Sequence, residues 1–161
     1  MDHHAAQPRL LHRLDEVGFA PHYYDRCVRP VSRTPDLDPD RDAQARAIAG
    51  TGLAFTYDER EDFFAHGQET DLGTVILNVV IRWGSVELGG YLSRDDGLLG
   101  GAFHVLALKV AQLSRPDWRP EPPYPRLPFT DSAGLRAALD HGLTLHRELQ
   151  DACRFVLAAP A

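Results

Sequence analysis

The sequence predicts an α+β fold: one domain in which an antiparallel sheet of about four strands packs against helices. Two observations lead to this prediction. Apolar residues between 53 and 93 follow the spacing of strands, whereas those before 18 and after 101 recur every three to four residues, as on one face of a helix. The 161 residues, 43% of them hydrophobic, suffice for one core and not for two. We therefore expect a single α+β domain over residues 1–161.

The first predicted element is an amphipathic helix over residues 8–17. Leu10, Leu14 and Val17 share one face, and Gly18 follows where a left-handed C-cap belongs. The next stretch, 22–31, carries aromatic and branched side chains without a helical stripe and ends at proline. It is therefore predicted as an edge strand or an extended segment.

A short helix is predicted from Pro39, its first helical residue, through the good helix formers at 43–49. Asp38 is its expected N-cap, and Gly50 ends it. The aspartates before it resemble the first ligands of a calcium loop. Arg41 stands where that loop needs glycine, however, and Ala47 where it needs glutamate, so calcium is not expected.

The predicted sheet follows this helix. The first two strands are expected to pair across an acidic turn, and the last two across a tight turn at Gly84 and Ser85. The run 75–81 is apolar at all but one position, which is typical of a central strand covered on both faces. The four strands are expected at 53–57, 62–65, 72–83 and 86–93.

Two longer helices, at about 101–114 and 131–157, are expected to pack mainly on one face of the sheet. The first is apolar nearly all round, so we expect it to be well buried or to lie in a subunit interface. The second has a continuous apolar face that includes His146 and Cys153. Between them, six prolines in residues 116–129 predict an extended connector across an end of the sheet.

The charge distribution excludes several functions. Seventeen basic and 23 acidic residues give a net charge of −6, which disfavours binding to nucleic acid or to anionic membranes. Residues 34–72 hold three arginines and ten acidic residues and so carry the whole excess. Within them, a negative patch suited to a basic protein partner is predicted; the alternative is a pair of solvated loops. The residues of this patch are Asp58, Glu59, Glu61 and Asp62.

A second hypothesis places an anion or a nucleotide at the glycine-rich stretch 94–101, which follows a strand and runs into a predicted helix. Backbone N–H groups at such a helix start can hold an anion. The stretch matches neither phosphate-binding glycine pattern, and a plain turn with a helix entry explains the glycines as well. The binding residues in this hypothesis are Arg94, Gly97, Gly100, Gly101 and His104.

We expect no metal site, no cofactor and no catalytic residues. His141 and His146 lie five positions apart on one helix and so point away from each other. Cys27 has His22 and Asp25 nearby in sequence, but this spacing predicts no catalytic triad. Both cysteines are expected to be buried free thiols of a reducing compartment.

These observations favour a non-enzymatic interaction protein. A cytoplasmic location is expected, because no secretory signal is visible. In outline, the predicted fold resembles small bacterial accessory proteins such as secretion chaperones, their regulators and toxin-immunity proteins. The resemblance implies binding to another protein, or to a second copy as a homodimer, through the acidic segment or an apolar helix face. The preference for arginine, 16 of 17 basic residues, also indicates a bacterial source. The alternative is a small enzyme or anion-binding protein that uses residues 94–104.

Overall fold

A computed structural model describes residues 3–27, 39–121 and 123–158, and within these residues it contains five helices and six strands. The helices are α1 (His3–Glu16), α2 (Phe19–Cys27), α3 (Arg41–Ala49), α4 (Phe103–Ser114) and α5 (Ser132–Ala158). The strands are β1 (Thr56–Asp58), β2 (Phe63–Thr70), β3 (Gly73–Arg82), β4 (Ser85–Arg94), β5 (Gly97–Ala102) and β6 (Leu127–Pro128). In this described part of the chain, no helix is long and apolar enough to cross a membrane.

The strands form one antiparallel sheet in the order β1-β2-β3-β4-β5, with β6 paired to the first residues of β4. In the register, Val79 of β3 lies opposite Phe64 of β2 and Leu88 of β4. The structure confirms the α+β class and contains a strand overlapping each of the four predicted ones, although β1 begins only at Thr56 and β2 extends to Thr70. It adds two strands, β5 and β6, that the sequence analysis did not predict.

The helices lie on one face of the sheet. In β3, Val75, Leu77, Val79 and Ile81 are buried, whereas the residues between them are only half-buried. The helix-facing side of β4 is so close to α4 and α5 that a Cβ atom on Gly90 would meet side chains from both. The prediction that the central strand is covered on both faces is therefore wrong, because its apolar run reflects β-branched strand formers as well as burial.

The segment predicted as an edge strand is helix α2, so that prediction is wrong within residues 22–27. Phe19, Tyr23 and Cys27 are buried four residues apart, which is a helical stripe that begins before the stretch considered. The Phe19 ring meets the edge of the Phe103 ring at 5.7 Å between centroids. Residues 28–31 lie outside the described part of the chain.

Helix α3 begins at Arg41, and its N-cap is Asp40, whose Oδ1 accepts the N–H of Ala43 at 2.7 Å. The predicted start at Pro39 with Asp38 as N-cap is therefore wrong; Asp38 lies outside the described residues. Asp40 takes the position because its carboxylate reaches an N–H that the first turn leaves unpaired. Gly50 follows the helix as predicted, with a right-handed φ of −61°.

The glycine-rich stretch is strand β5 and not a helix entry. Gly100 has a φ of +121°, and a Cβ atom there would collide with the carbonyl oxygen of Gly90 on β4, so glycine allows the two strands to approach closely. Helix α4 begins only at Phe103, where the predicted helix began at 101. Five of its twelve residues are buried, which favours the well-buried interpretation of this helix.

The proline-rich connector ends in β6, and there it pairs with the start of β4. The N–H of Phe129 donates to the carbonyl of Gly84 at 2.8 Å and holds the connector against the β3–β4 turn. Asp131 then caps α5 by accepting the N–H of Gly134 at 2.7 Å. On α5, His146 and Cys153 are buried as predicted.

Candidate interaction surface at one end of the sheet

Two hairpin turns and the connector meet at one end of the sheet. Because β2 pairs antiparallel with β3 from Phe64 opposite Val79, the β1–β2 turn and the β3–β4 turn emerge at the same end, about 10 Å apart across the strands. The connector joins them there through β6. We call this region the sheet-end surface; it consists of residues 58–62, 82–87 and 124–126 together with His104.

The acidic residues predicted as a patch do lie together on the β1–β2 turn, but two of them have internal roles. Asp58 Oδ1 accepts the backbone N–H groups of Arg60 and Glu61 at 3.0 Å each. Asp62 has a φ of +56°, and its Oδ1 accepts hydrogen bonds from the Tyr57 hydroxyl at 2.7 Å and from Arg41 at 2.6 Å. These two bonds hold the pKa of Asp62 below its ordinary value.

The outward negative charge of the turn therefore belongs mainly to Glu59 and Glu61. Both side chains are exposed. Arg60 between them is 91% exposed and lies 3.7 Å from Glu61. The turn thus presents two outward carboxylates with Arg60 between them. Its negative field is weaker than that of four aligned acidic side chains.

Trp83 forms the β3–β4 turn with Gly84. Both residues have positive φ, +54° and +65°, as in the two-residue turn that suits the twist of a hairpin. Such turns usually hold asparagine or glycine, and a bulky aromatic residue at positive φ is uncommon. Trp83 occupies such a position in this turn, and its side chain is 43% exposed.

Two arginines flank the Trp83 ring. The guanidinium carbon of Arg82 lies 4.9 Å from the ring centroid and that of Arg126 lies 5.7 Å from it. Both guanidinium groups also approach Glu87, at 3.7 Å and 3.2 Å. Since one carboxylate faces two guanidinium groups, this cluster keeps a net positive charge beside the acidic turn.

A second exposed aromatic side chain, Tyr124, lies next to this cluster. It is 75% exposed, has a φ of +59° and meets the His104 ring at 6.2 Å. Burial holds the pKa of His104 below its ordinary value, and the carboxylate of Glu87, 3.9 Å away, opposes this effect. The Tyr23 hydroxyl, which donates to the carbonyl of Pro125 at 2.6 Å, fixes the connector beside Tyr124.

The structure separates the residues of the predicted anion site. Arg94 lies 3.3 Å from Asp96 at the opposite end of the sheet, whereas His104 follows Ala102, which pairs with Gly89. Along β4, Gly89 and Arg94 are five residues, or about 17 Å, apart. Gly97, Gly100 and Gly101 belong to strand β5 and pair with residues of β4. The anion-site hypothesis needed these glycines in a loop that leads into a helix, and at these positions the structure has a strand instead.

Sequence reasoning did not predict five residues of the sheet-end surface. Trp83 was included in the central strand because the tight turn was placed one residue too late. A signal was present, since a tryptophan followed by glycine between two strand patterns fits a two-residue turn. The missed residues are Arg82, Trp83, Glu87, Tyr124 and Arg126.

The cysteines do not provide reactive thiols. Cys27 and Cys153 are buried and unpaired with each other, and burial raises the pKa of each thiol to about 12. Across residues 3–27, 39–121 and 123–158, no group of three or more histidine, cysteine or acidic side chains is placed to hold a metal ion.

No known protein family, curated protein or solved structure matches this chain. The chemistry of the sheet-end surface therefore has to be judged from its own residues. It exposes a tryptophan and a tyrosine beside two arginines, and these three residue types are the ones enriched where a few side chains dominate the binding energy between proteins.

Proposed function

We propose that this protein is a non-enzymatic interaction module that binds another protein through the sheet-end surface. The observation that carries the proposal is that Trp83 and Tyr124, two exposed aromatic residues, both hold a left-handed backbone conformation. Each such position costs on the order of 1–3 kcal/mol in folding. Asparagine or glycine would form the Trp83 turn without that cost, so the ring is better explained by binding than by folding.

The surface indicates the chemistry of the partner. Glu59 and Glu61 suit basic side chains, as the sequence analysis expected. The cluster around Trp83 suits an apolar or aromatic group with a carboxylate beside it, because the guanidinium groups of Arg82 and Arg126 flank the ring. A partner with both charges next to an apolar side chain would be held in one orientation.

Replacing Trp83 with asparagine tests the proposal. Trp83→Asn removes the ring and suits the turn, so we expect the melting temperature to stay equal or rise while partner binding falls at least about tenfold. The measurement is quantitative capture from bacterial extract, followed by titration of the purified partner. Leu98→Thr is the matched control, since Leu98 is 60% exposed on β5 near the opposite end of the sheet.

Equal binding by the wild type and Trp83→Asn would refute the sheet-end surface as the binding site, and loss in Leu98→Thr would place the site near the opposite end of the sheet. The acidic turn is tested separately by Glu59→Gln with Glu61→Gln, which leaves the internal bonds of Asp58 and Asp62 intact. We expect this double variant to slow association and to reduce its dependence on salt.

A second copy of the chain is one partner that fits this chemistry. A rotation of 180° about the normal of the sheet would place the acidic turn of one copy opposite the arginine and tryptophan cluster of the other, and the reverse. Such a homodimer is isologous and satisfies both charged regions at once. The proposal of a homodimer rests on this self-complementary arrangement.

We place the module in the cytoplasm. The two free thiols, Cys27 and Cys153, are buried, and they lie on different helices that both contact the core. A chain that keeps unpaired cysteines in its core suits a reducing compartment.

A further inference from the structure

The helix-facing side of β2 is polar where the rest of the sheet carries its core. Phe64 is buried there, but the next residues on the same side, His66, Gln68 and Thr70, are not. His66 pairs with Leu77 and Gln68 pairs with Val75, both of which are buried core positions on β3. Polar side chains on this side indicate that the helices do not close over β2.

A groove of about 340 Å³ lies along this seam between β2, α5 and the segment before β1. Its volume falls within the range of roughly 300–1,000 Å³ typical of small-molecule sites. Its lining is more polar than the mostly apolar lining of typical sites, because only Leu53 and Leu143 are apolar. The groove is lined by Thr51, Leu53, His66, Gln68, Leu143, His146, Arg147 and Gln150.

Two of these residues, His146 and Gln150, also line a smaller cavity. That cavity measures about 20 Å³, room for about one water molecule, and its other walls include Val75, Leu92 and Cys153. The polar groove and this more apolar cavity are therefore neighbours that share the side chains of His146 and Gln150.

His146 is built into the core at this point with one nitrogen unpaired. The side chain is 4% exposed; its Nε2 lies 3.0 Å from the Gln150 amide, and its buried Nδ1 has no hydrogen-bond partner. The ring needs the glycine beneath it, because a Cβ atom on Gly90 would lie 3.2 Å from Nδ1. A buried ring nitrogen without a partner costs free energy, so this arrangement is not explained by packing alone.

His66 presents its other nitrogen to the same groove. Its Nδ1 hydrogen bonds to the carbonyl oxygen of Ala54 at 2.7 Å and is therefore the protonated nitrogen, which leaves Nε2 open. The Phe55 ring, 5.5 Å away between centroids, helps to hold the imidazole. Two imidazoles from different elements thus converge on one cavity.

The charge of the groove is opposite to that of the molecule. The chain carries a net charge of −6, yet the groove contains Arg147 and no acidic side chain. Arg154 borders the smaller cavity in the same way. The side-chain amides of Gln68 and Gln150 add hydrogen-bond donors, so the groove favours an anionic group.

We infer that this groove binds a small organic carboxylate. Arg147 and Gln68 hold the carboxylate at the mouth, and the apolar part of the ligand lies between Leu53 and Leu143 with His66 and His146 beside it. This inference uses none of the residues of the sheet-end surface and stands independently of the proposed interaction function.

Benzoate and benzamide are suitable probes because they share a ring and a shape and differ in charge. We expect benzoate to bind with a millimolar dissociation constant and to shift the imidazole NMR signals of His66 and His146. We expect benzamide to bind at least about tenfold more weakly, because it cannot form the charge-assisted bond to Arg147.

Arg147→Gln provides the variant test, since Arg147 is exposed and its loss leaves the core intact. We expect benzoate binding to weaken at least about tenfold in this variant. Arg136→Gln, eleven residues earlier on α5 and outside the groove, is the control and should bind as the wild type does. Absence of shifts at about 10 mM benzoate, equal binding of both probes, or unchanged binding in Arg147→Gln would each overturn the inference.

Discussion

At the scale of single residues, His146 makes the stability of this protein depend on pH. Burial, assisted by the charge of His66, lowers the pKa of His146 to about 4 from its ordinary value of 6.5. In the unfolded chain the ring takes up a proton as the pH falls below about 6.5, whereas in the folded protein it stays neutral until about pH 4. The unfolded state therefore binds more protons in this interval, and acid destabilises the fold.

We predict that replacing His146 with leucine flattens this pH dependence. Between pH 7 and pH 4.5, the wild type should lose roughly 2–3 kcal/mol more free energy of unfolding than His146→Leu. The reason is that only the wild type has an imidazole at position 146 that is protonated on unfolding. Urea unfolding at both pH values, in buffers free of organic carboxylates, measures the difference. Equal losses in the two proteins would show that His146 is hydrated or charged in the fold.

At the scale of elements, α1 protects the free edge of the sheet. The side-chain amide of Gln7 donates to the carbonyl of Gly100 and accepts the N–H of the same residue, both at 3.3 Å. One glutamine thus occupies a donor and an acceptor that β5 would otherwise present to another strand. This contact explains how an edge strand with three glycines is kept in place.

We predict that Gln7→Ala loosens β5 without unfolding the domain. The loss of two long hydrogen bonds should cost about 1 kcal/mol of unfolding free energy and speed amide exchange at Gly100. Hydrogen exchange measured by NMR tests this, with His12→Ala, at an exposed position of the same helix, as the comparison. Unchanged exchange at Gly100 would contradict the edge-protecting role.

Two wrong predictions, the edge strand within residues 22–27 and the helix entry at the glycine-rich stretch, have physical reasons. In α2 the stripe of Phe19, Tyr23 and Cys27 was predictable, but the tyrosines and prolines around it favour extended structure locally, and burial against α4 overrides that preference. In β5, Gly97 and Gly100 have positive φ, so no strand propensity marks them. Their place in the sheet depends on pairing with β4.

At the scale of the whole molecule, the end of the sheet brings together residues that are far apart in the sequence. The acidic turn was predictable because its residues are consecutive. Its neighbours were not, since Trp83 and Arg126 are 43 positions apart in the sequence and meet only because β6 pairs with β4. The groove beside His146 likewise needs β2 and α5 in contact with one core.

We predict that self-association, if the partner is a second copy, is governed by charge and by Trp83. Sedimentation at low salt should show a dimer in the wild type that dissociates as the salt rises to about 1 M, where the Debye length falls to about 3 Å. Trp83→Asn should be monomeric at the same concentration, and Leu98→Thr should still dimerise. A dimer that resists salt and forms in Trp83→Asn would place the interface elsewhere.

The sequence by itself determined the α+β class, the pairing of β3 with β4, the apolar face of α5 and the acidic turn, because each follows from a periodicity or a turn within a short window. Only the tertiary structure decided which face of β3 is buried, that α2 is a helix, that the glycine-rich stretch joins the sheet, and that Trp83 meets Arg126. Those features depend on which elements pack together, and packing between distant segments leaves no periodic trace in either segment alone.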